Sequence, residues 1–329
     1  MASLVILDGA ALDGDAATRE EFAKDLERAC RQDGFFLLKN HGIPPVVWKT
    51  VLTEAEHFFS GPSPQKEALN VRHSSNFRGF SQMKNSRDWR EQLHFGTEWP
   101  DGAWSEGRPE YYRLAGENPW PNPSLANGVL EYLAAVQHLG FRLLEVLGER
   151  LGLAPDVFIG SPTEPPYLLL KAICYYAQPG AERRSGVAPH CDWSWITLLL
   201  QDQTGGLEVQ DQDGVWRPVP PEPGVLAVNT GELLEVLTRG YLRAAPHRVI
   251  NPRKRPRLSV PVFLNPALSA RIEPLPEAPG PVGVSPIESN HIHRVVPRGA
   301  VVEPFCFGES EWRRKGLGRW CHQSACLKS

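Results

Sequence analysis

The chain lacks any apolar run approaching the roughly 20 residues that a membrane-spanning helix needs. It also lacks the basic stretch and apolar core of a secretory leader, since Met1-Ala2-Ser3-Leu4-Val5-Ile6-Leu7 runs straight into Asp8. The expectation is a cytoplasmic protein. A disulfide framework is missing too: Cys30, Cys174, Cys191, Cys306, Cys321 and Cys326 show no framework spacing and read as reduced thiols, several buried as small apolar groups. Cys321 and Cys326 have the look of half a metal clip, but no second pair matches them. An excess of one charge is absent as well. Against 38 acidic residues stand 35 basic ones, and a net charge of -3 gives no reason to expect nucleic acid or an anionic membrane as partner. No internal repeat or low-complexity linker divides the 329 residues. One compact unit is expected, a monomer rather than an obligate oligomer.

What is present is the composition of a globular chain, 41% hydrophobic and 22% charged. The first third, 4–115, reads mostly helical. Thr18-Arg19-Glu20-Glu21 has the form of a capping box, Phe22, Leu26 and Cys30 follow at helical spacing, and Gly34 stops the run. Pro44 and Pro45 open a second helix with Val47, Val51 and Ala55 on one face. Residues 116–285 begin with a long helix over 124–151 and then change texture. Short strands follow around 168–176, 196–200, 206–210, 226–228, 248–250 and 258–264. Asp213-Gly214 signals a hairpin between two of them. Many short strands with proline- and glycine-rich turns predict a mixed α and β fold, a double-stranded β-helix (jelly roll) core flanked by helices. A tail, 286–329, carries a last helix around 309–315 and is a candidate cap for the active site.

The chemistry concentrates in His190-Cys191-Asp192. On an extended strand, residues two apart point to the same face, so His190 and Asp192 can grip one ion together. An isolated His-x-Asp is weak, because a buried histidine is usually just hydrogen-bonded. Its context raises it. His247 lies far enough along for the intervening strands to cross the barrel and return, and supplies a second imidazole. Two imidazoles and one carboxylate with open positions form the facial triad of non-haem Fe(II) oxygenases. Ten residues on, Arg257-Leu258-Ser259 places a guanidinium fork and a hydroxyl on one strand face, a pair suited to a carboxylate. The competing reading of Arg257 is a surface ion pair, as its neighbours Arg253, Lys254 and Arg255 suggest.

These motifs have an order. Gly205-Gly206-Leu207-Glu208-Val209, Asp213-Gly214-Val215-Trp216, residues 223–232, Pro246-His247-Arg248-Val249 and Arg257-Leu258-Ser259 resemble the 2-oxoglutarate/Fe(II)-dependent dioxygenases of the isopenicillin N synthase-like family. Asp33-Gly34-Phe35-Phe36, Asn40-His41-Gly42-Ile43, Phe58-Phe59 and Arg78-Gly79-Phe80 resemble that family's leading region, so the likeness runs from about residue 4 to 270. It implies that His190, Asp192 and His247 are catalytic iron ligands and that Arg257 and Ser259 clamp the distal carboxylate of 2-oxoglutarate. Tyr176 stands where the family often has Tyr-Pro and would add its hydroxyl to the clamp. Ala177 replaces that proline, which leaves Tyr175 as a competitor.

The implied activity is oxidation of an unactivated C–H bond of a small organic metabolite by O2, with 2-oxoglutarate converted to succinate and CO2. Hydroxylation is the default outcome, desaturation or ring closure the variants. Candidates for the substrate wall are Trp193, Phe263, Arg78, Gln92 and His94, although strand alternation puts Trp193 on the face opposite Asp192 and a tryptophan in a β-core is more often packing. Arg294, Trp312 and Trp320 of the tail are candidates to cap the site, and His291-Ile292-His293 reads as surface. Two rival functions remain at this stage. One is a family oxidase that needs no 2-oxoglutarate, with Arg257 and Ser259 holding the substrate's own carboxylate. The other is a non-catalytic jelly-roll binding protein, which the intact ligand set disfavours.

Overall fold

The computed structural model describes residues 4–99, 107–154, 157–158, 164–178, 184–252, 254–277, 279 and 303–324, with side chains described to 315. The chain runs β1 (Ile6–Asp8), α1 (Ala16–Gln32), β2 (Phe35–Lys39), α2 (Pro45–Ser60), α3 (Ser63–Ala68), β3 (Gly79–Lys84), β4 (Trp89–Gly96), α4 (Pro123–Leu151) and β5 (Leu168–Tyr175). It continues through β6 (Ser185–His190), β7 (Ile196–Gln201), β8 (Leu207–Gln210), β9 (Trp216–Pro218), β10 (Leu226–Thr230), α5 (Glu232–Leu237), β11 (His247–Ile250), β12 (Arg257–Leu264), β13 (Arg271–Ile272), β14 (Phe305–Cys306) and α6 (Phe307–Ser324). Eight strands form one sheet in the order β1-β2-β10-β7-β12-β5-β4-β3, and β6-β11-β8-β9 form a second. The crossovers between the two make the expected jelly roll, with helices on the outer face of the larger sheet.

Strand alternation decides what each face does. Along β12, Leu258, Val260, Val262 and Leu264 pack into the core shared with α1, α2 and α4. Arg257, Ser259, Pro261 and Phe263 face the opposite way, into the space between the sheets. A smaller apolar cluster, including Phe35, Leu37, Ile173, Leu199, Leu207 and Val249, closes that space around its polar residues. The long helix lies close on the outer face because Gly140 permits it. A Cβ at that position would stand 2.2 Å from Cδ2 of Leu264.

Two expectations are revised and two are met. Helix α1 is capped by Asp15, whose carboxylate accepts the amide of Thr18 at 2.8 Å, rather than by a box opening at Thr18. Gly34 does end the helical run: it adopts φ +62, and a Cβ there would meet the carbonyl of Arg243 at 2.2 Å. Residues 4–115 are less helical than expected, because β3 and β4 pair as a hairpin at the edge of the large sheet. Their polar text, Trp89-Arg90-Glu91-Gln92, hides the strand, since Gln92 and Arg90 turn to the inner cavity while buried Glu91 is held on the other side by Lys66 at 3.1 Å. The hairpin around Asp213-Gly214 is present, joining β8 to β9.

Candidate active site

The pairing of β11 with β6 sets His247 directly across from His190, which brings the two imidazole centroids to 4.3 Å. Asp192 follows β6 by two residues, and its Oδ1 lies 3.5 Å from Nε2 of each histidine. Every other atom of the trio with hydrogen-bonding capacity is committed elsewhere. Nδ1 of His190 donates to the carbonyl of Ala188 at 2.9 Å, and Nδ1 of His247 to that of Ala245 at 3.1 Å. Thr197 Oγ1 and Asn229 Nδ2 donate to Oδ2 of Asp192 at 2.7 and 2.9 Å. These anchors select the imidazole tautomer and turn one lone pair of each residue toward a common point, as metal sites require. The facing atoms all lie within 4.8 Å of one another.

The electrostatics agree. Burial would push the Asp192 carboxyl up, but the two histidines outweigh it and hold it well below the usual carboxylate range. Burial and His247 together depress the pKa of His190. At His247 burial disfavours the charged ring, yet Asp192 wins and raises it. A buried carboxylate between two histidines is thus an anion awaiting a cation, and a divalent ion satisfies all three donors at once.

The trio opens into a cavity with about 570 Å³ of empty space, mouth included, whose walls also carry Arg90, Gln92, Lys171, Tyr175, Arg257 and Ser259. Arg257 is fully buried. Its Nη2 donates to Oε1 of Gln201 at 2.9 Å, and its guanidinium lies 5.0 Å from the centroid of the Tyr175 ring. Its Nε and Nη1 have no hydrogen-bond partner among the described residues. Orphaned donors on a buried cation are costly. Their position in the same cavity as the trio fits a carboxylate ligand.

The other sequence candidates divide. Ser259, Gln92 and Phe263 line this cavity. Tyr176 does not: β5 ends at Tyr175, and the next residue turns out, with its hydroxyl taking a hydrogen bond from Gln82 at 2.6 Å and donating one to Glu91 at 3.2 Å. Tyr175 is the tyrosine beside Arg257. Arg78 is a strut rather than a pocket wall. It is 1% exposed and donates to the carbonyls of Gly96, Thr97, Leu114 and Gly116 and to the side chain of Asn118. His94 is not among the residues that line the cavity and is hydrogen-bonded to Ser81 at 3.2 Å. Trp193 faces away from the trio, stacked on Phe305 at 5.8 Å with the guanidinium of Arg314 on its ring, and Trp312 packs on Phe77. His291, His293 and Arg294 lie outside the described residues, as does the side chain of Trp320. The sequence reading missed Lys171, Arg90, Thr197 and Asn229. Counting back by twos from Tyr175 through Ile173 would have reached Lys171.

Residues 4–123 match the N-terminal region of the non-haem dioxygenases named for morphine synthesis, and 168–266 match the 2OG-Fe(II) oxygenase superfamily. Clavatol oxidase of Penicillium crustosum is 30% identical over 285 residues, covering 79% of this chain and 84% of that protein. The chain belongs to the 2-oxoglutarate/Fe(II)-dependent dioxygenases. A 2-oxoglutarate-dependent dioxygenase of Monascus ruber is 32% identical over 269 residues, covering 76% of this chain and 80% of its own length. Among solved structures, a 2OG-Fe(II) oxygenase family protein from Caulobacter crescentus superposes with a TM-score of 0.76 at 26% identity, covering 96% and 99% of the two chains. JOX2, solved with 2OG, Fe and JA, gives 0.68 at 26% identity over 84% and 80%. As a member of this family the chain is an oxidoreductase using Fe(II), 2-oxoglutarate and O2. No helix among the described residues is long and apolar enough to cross a membrane.

Proposed function

We propose that His190, Asp192 and His247 hold the iron, that Arg257, Ser259 and Tyr175 hold the distal carboxylate of 2-oxoglutarate, and that the enzyme hydroxylates a C–H bond of a small organic molecule. The observation that carries this reading is the pair of orphaned donors on fully buried Arg257, in the cavity onto which three metal-type ligands converge. A guanidinium fork takes two carboxylate oxygens at once, and the Ser259 hydroxyl shares its face of β12. Tyr175 enters in place of Tyr176, which is spent on Gln82 and Glu91.

When bound, Fe(II) and 2-oxoglutarate supply oxidation by O2, in which one oxygen atom enters succinate as CO2 leaves and the other enters the C–H bond. The protein's own part is placement and dryness. Thr197 and Asn229 keep one oxygen of Asp192 occupied so that the other faces the metal. Ala188 and Ala245 fix the imidazoles. Phe35, Ile173, Leu199, Leu207 and Val249 surround the polar trio with apolar surface. A 2-oxoglutarate-independent oxidase would leave Arg257 for the substrate, but the relatives named for dependence on 2-oxoglutarate favour the first reading. A net charge of -3 supports a small molecule, rather than nucleic acid or a membrane, as partner, and we read the enzyme as a cytoplasmic monomer.

The test is metal content. His190→Ala is expected to lose stoichiometric Fe(II) while keeping the circular dichroism and melting profile of the parent. Full iron occupancy in that variant would remove His190 from the ligand set.

A further inference from the structure

Besides Arg257 and Arg90, the cavity has a third cation. Lys171 lines it from β5, half-buried, with its Nζ 5.0 Å from the centroid of Phe263 on β12. Tyr175, beside Arg257, is four residues further along β5, which is about 13 Å of strand. Lys171 therefore serves the opposite end of the cavity, beyond a five-carbon diacid held between the trio and Arg257. Among the described residues it has neither an ion pair nor a hydrogen bond. The charges around it are spoken for. Arg90 is paired with Asp88 at 2.6 Å, and Glu311 on α6 takes Arg314 at 3.1 Å and Lys315 at 3.4 Å. His94, paired with Lys171 across β4 and β5, is kept neutral by burial and by the positive charges of Lys171, Lys315 and Arg90. Burial, with help from Lys315 and Arg90 and against the opposing pull of Asp192 and Glu311, brings the Lys171 ammonium down to about 7.

The charge balance of the loaded site is then uneven. The two positive charges of Fe(II) and the one of Arg257 are met by the dianion 2-oxoglutarate and by Asp192. Arg90 is met by Asp88. Lys171 is left with no partner of its own among the described residues, so its ammonium form is disfavoured until an anion binds beside it.

We propose that the substrate is a small organic acid whose carboxylate pairs with Lys171 and whose apolar body lies against Phe263. This deepens the assignment above and rests on it. One lysine suits a monoanion better than a phosphate ester, whose second charge would go unanswered.

The experiment uses the protein loaded with Mn(II) and 2-oxoglutarate. Calorimetry measures binding of phenylacetate, 3-phenylpropionate and 4-phenylbutyrate, each beside its primary amide. At least one acid is expected to bind about tenfold or more tightly than its amide, a preference that Lys171→Met abolishes and Lys171→Arg restores. In Lys171→Met, 2-oxoglutarate itself should bind as in the parent. Equal affinity for acid and amide, an unchanged preference in Lys171→Met, or no binding of any acid would overturn the proposal. A fall of 2-oxoglutarate affinity in Lys171→Met would also overturn it, by placing Lys171 in the cosubstrate site. Failure of the parent protein to take up 2-oxoglutarate at the loading step would instead indict the cosubstrate assignment.

Discussion

The two faces of the eight-stranded sheet carry different burdens. On the outer face, Leu168, Leu170, Val260, Val262 and Leu264 meet the helices, with the buried Glu91–Lys66 pair toward the β3–β4 edge. On the inner face, the intervening residues of the same strands include Lys171, Tyr175, Arg257 and Ser259. A single strand thus contributes to stability and to chemistry on alternate residues. Substitutions on one face should be separable from substitutions on the other, and that separation can be broken or sharpened.

The largest effect on folding is expected from Leu264→Ala. Leu264 is fully buried and packed against Gly140 of α4, so the change should cost about 2–5 kcal/mol in urea denaturation. Iron affinity should survive wherever the variant remains folded. Loss of iron from folded variant would show that the two faces are coupled. A smaller effect is expected on the inner face from Thr197→Val. It removes a donor to Asp192 while nearly conserving volume, and should weaken Fe(II) binding about tenfold or more. An unaltered Fe(II) affinity would relieve Thr197 of any orienting role. The finest comparison is between adjacent tyrosines. Tyr175→Phe should raise the dissociation constant for 2-oxoglutarate by about fivefold, the worth of one hydrogen bond. Tyr176→Phe should leave it unchanged, and the reverse ranking would return Tyr176 to the clamp.

The same alternation explains what could be read from the sequence. His190, Asp192, Arg257 and Ser259 were legible because each pair sits at strand spacing, and a period of two needs no tertiary knowledge. His247 was legible from the resemblance and from its place before a strand. The parity of β5 was not: Tyr175 and Tyr176 are consecutive aromatics, and only the pairing of Tyr175 with Arg257 decides which one faces inward. Lys171 was lost with it, since its direction follows from the same parity. Arg78 misled for another reason. Its partners are backbone carbonyls of Gly96, Thr97, Leu114 and Gly116, which leave no trace in side-chain identity. Trp193 was rightly expected opposite Asp192, but what it would meet there, Phe305 and Arg314, comes from more than 100 residues away.

The central claim is that one cavity holds both the metal and the cosubstrate, and it is tested most directly by anaerobic titration. Fe(II) followed by 2-oxoglutarate should produce a saturable visible charge-transfer band in the parent protein. In Arg257→Ala, iron should bind as before while the band saturates only at about 100-fold higher 2-oxoglutarate, the loss of a charge-assisted carboxylate contact. A parent protein that takes up Fe(II) yet gives no band at any 2-oxoglutarate concentration would contradict the account, as would a band in Arg257→Ala that saturates at the parent's concentration.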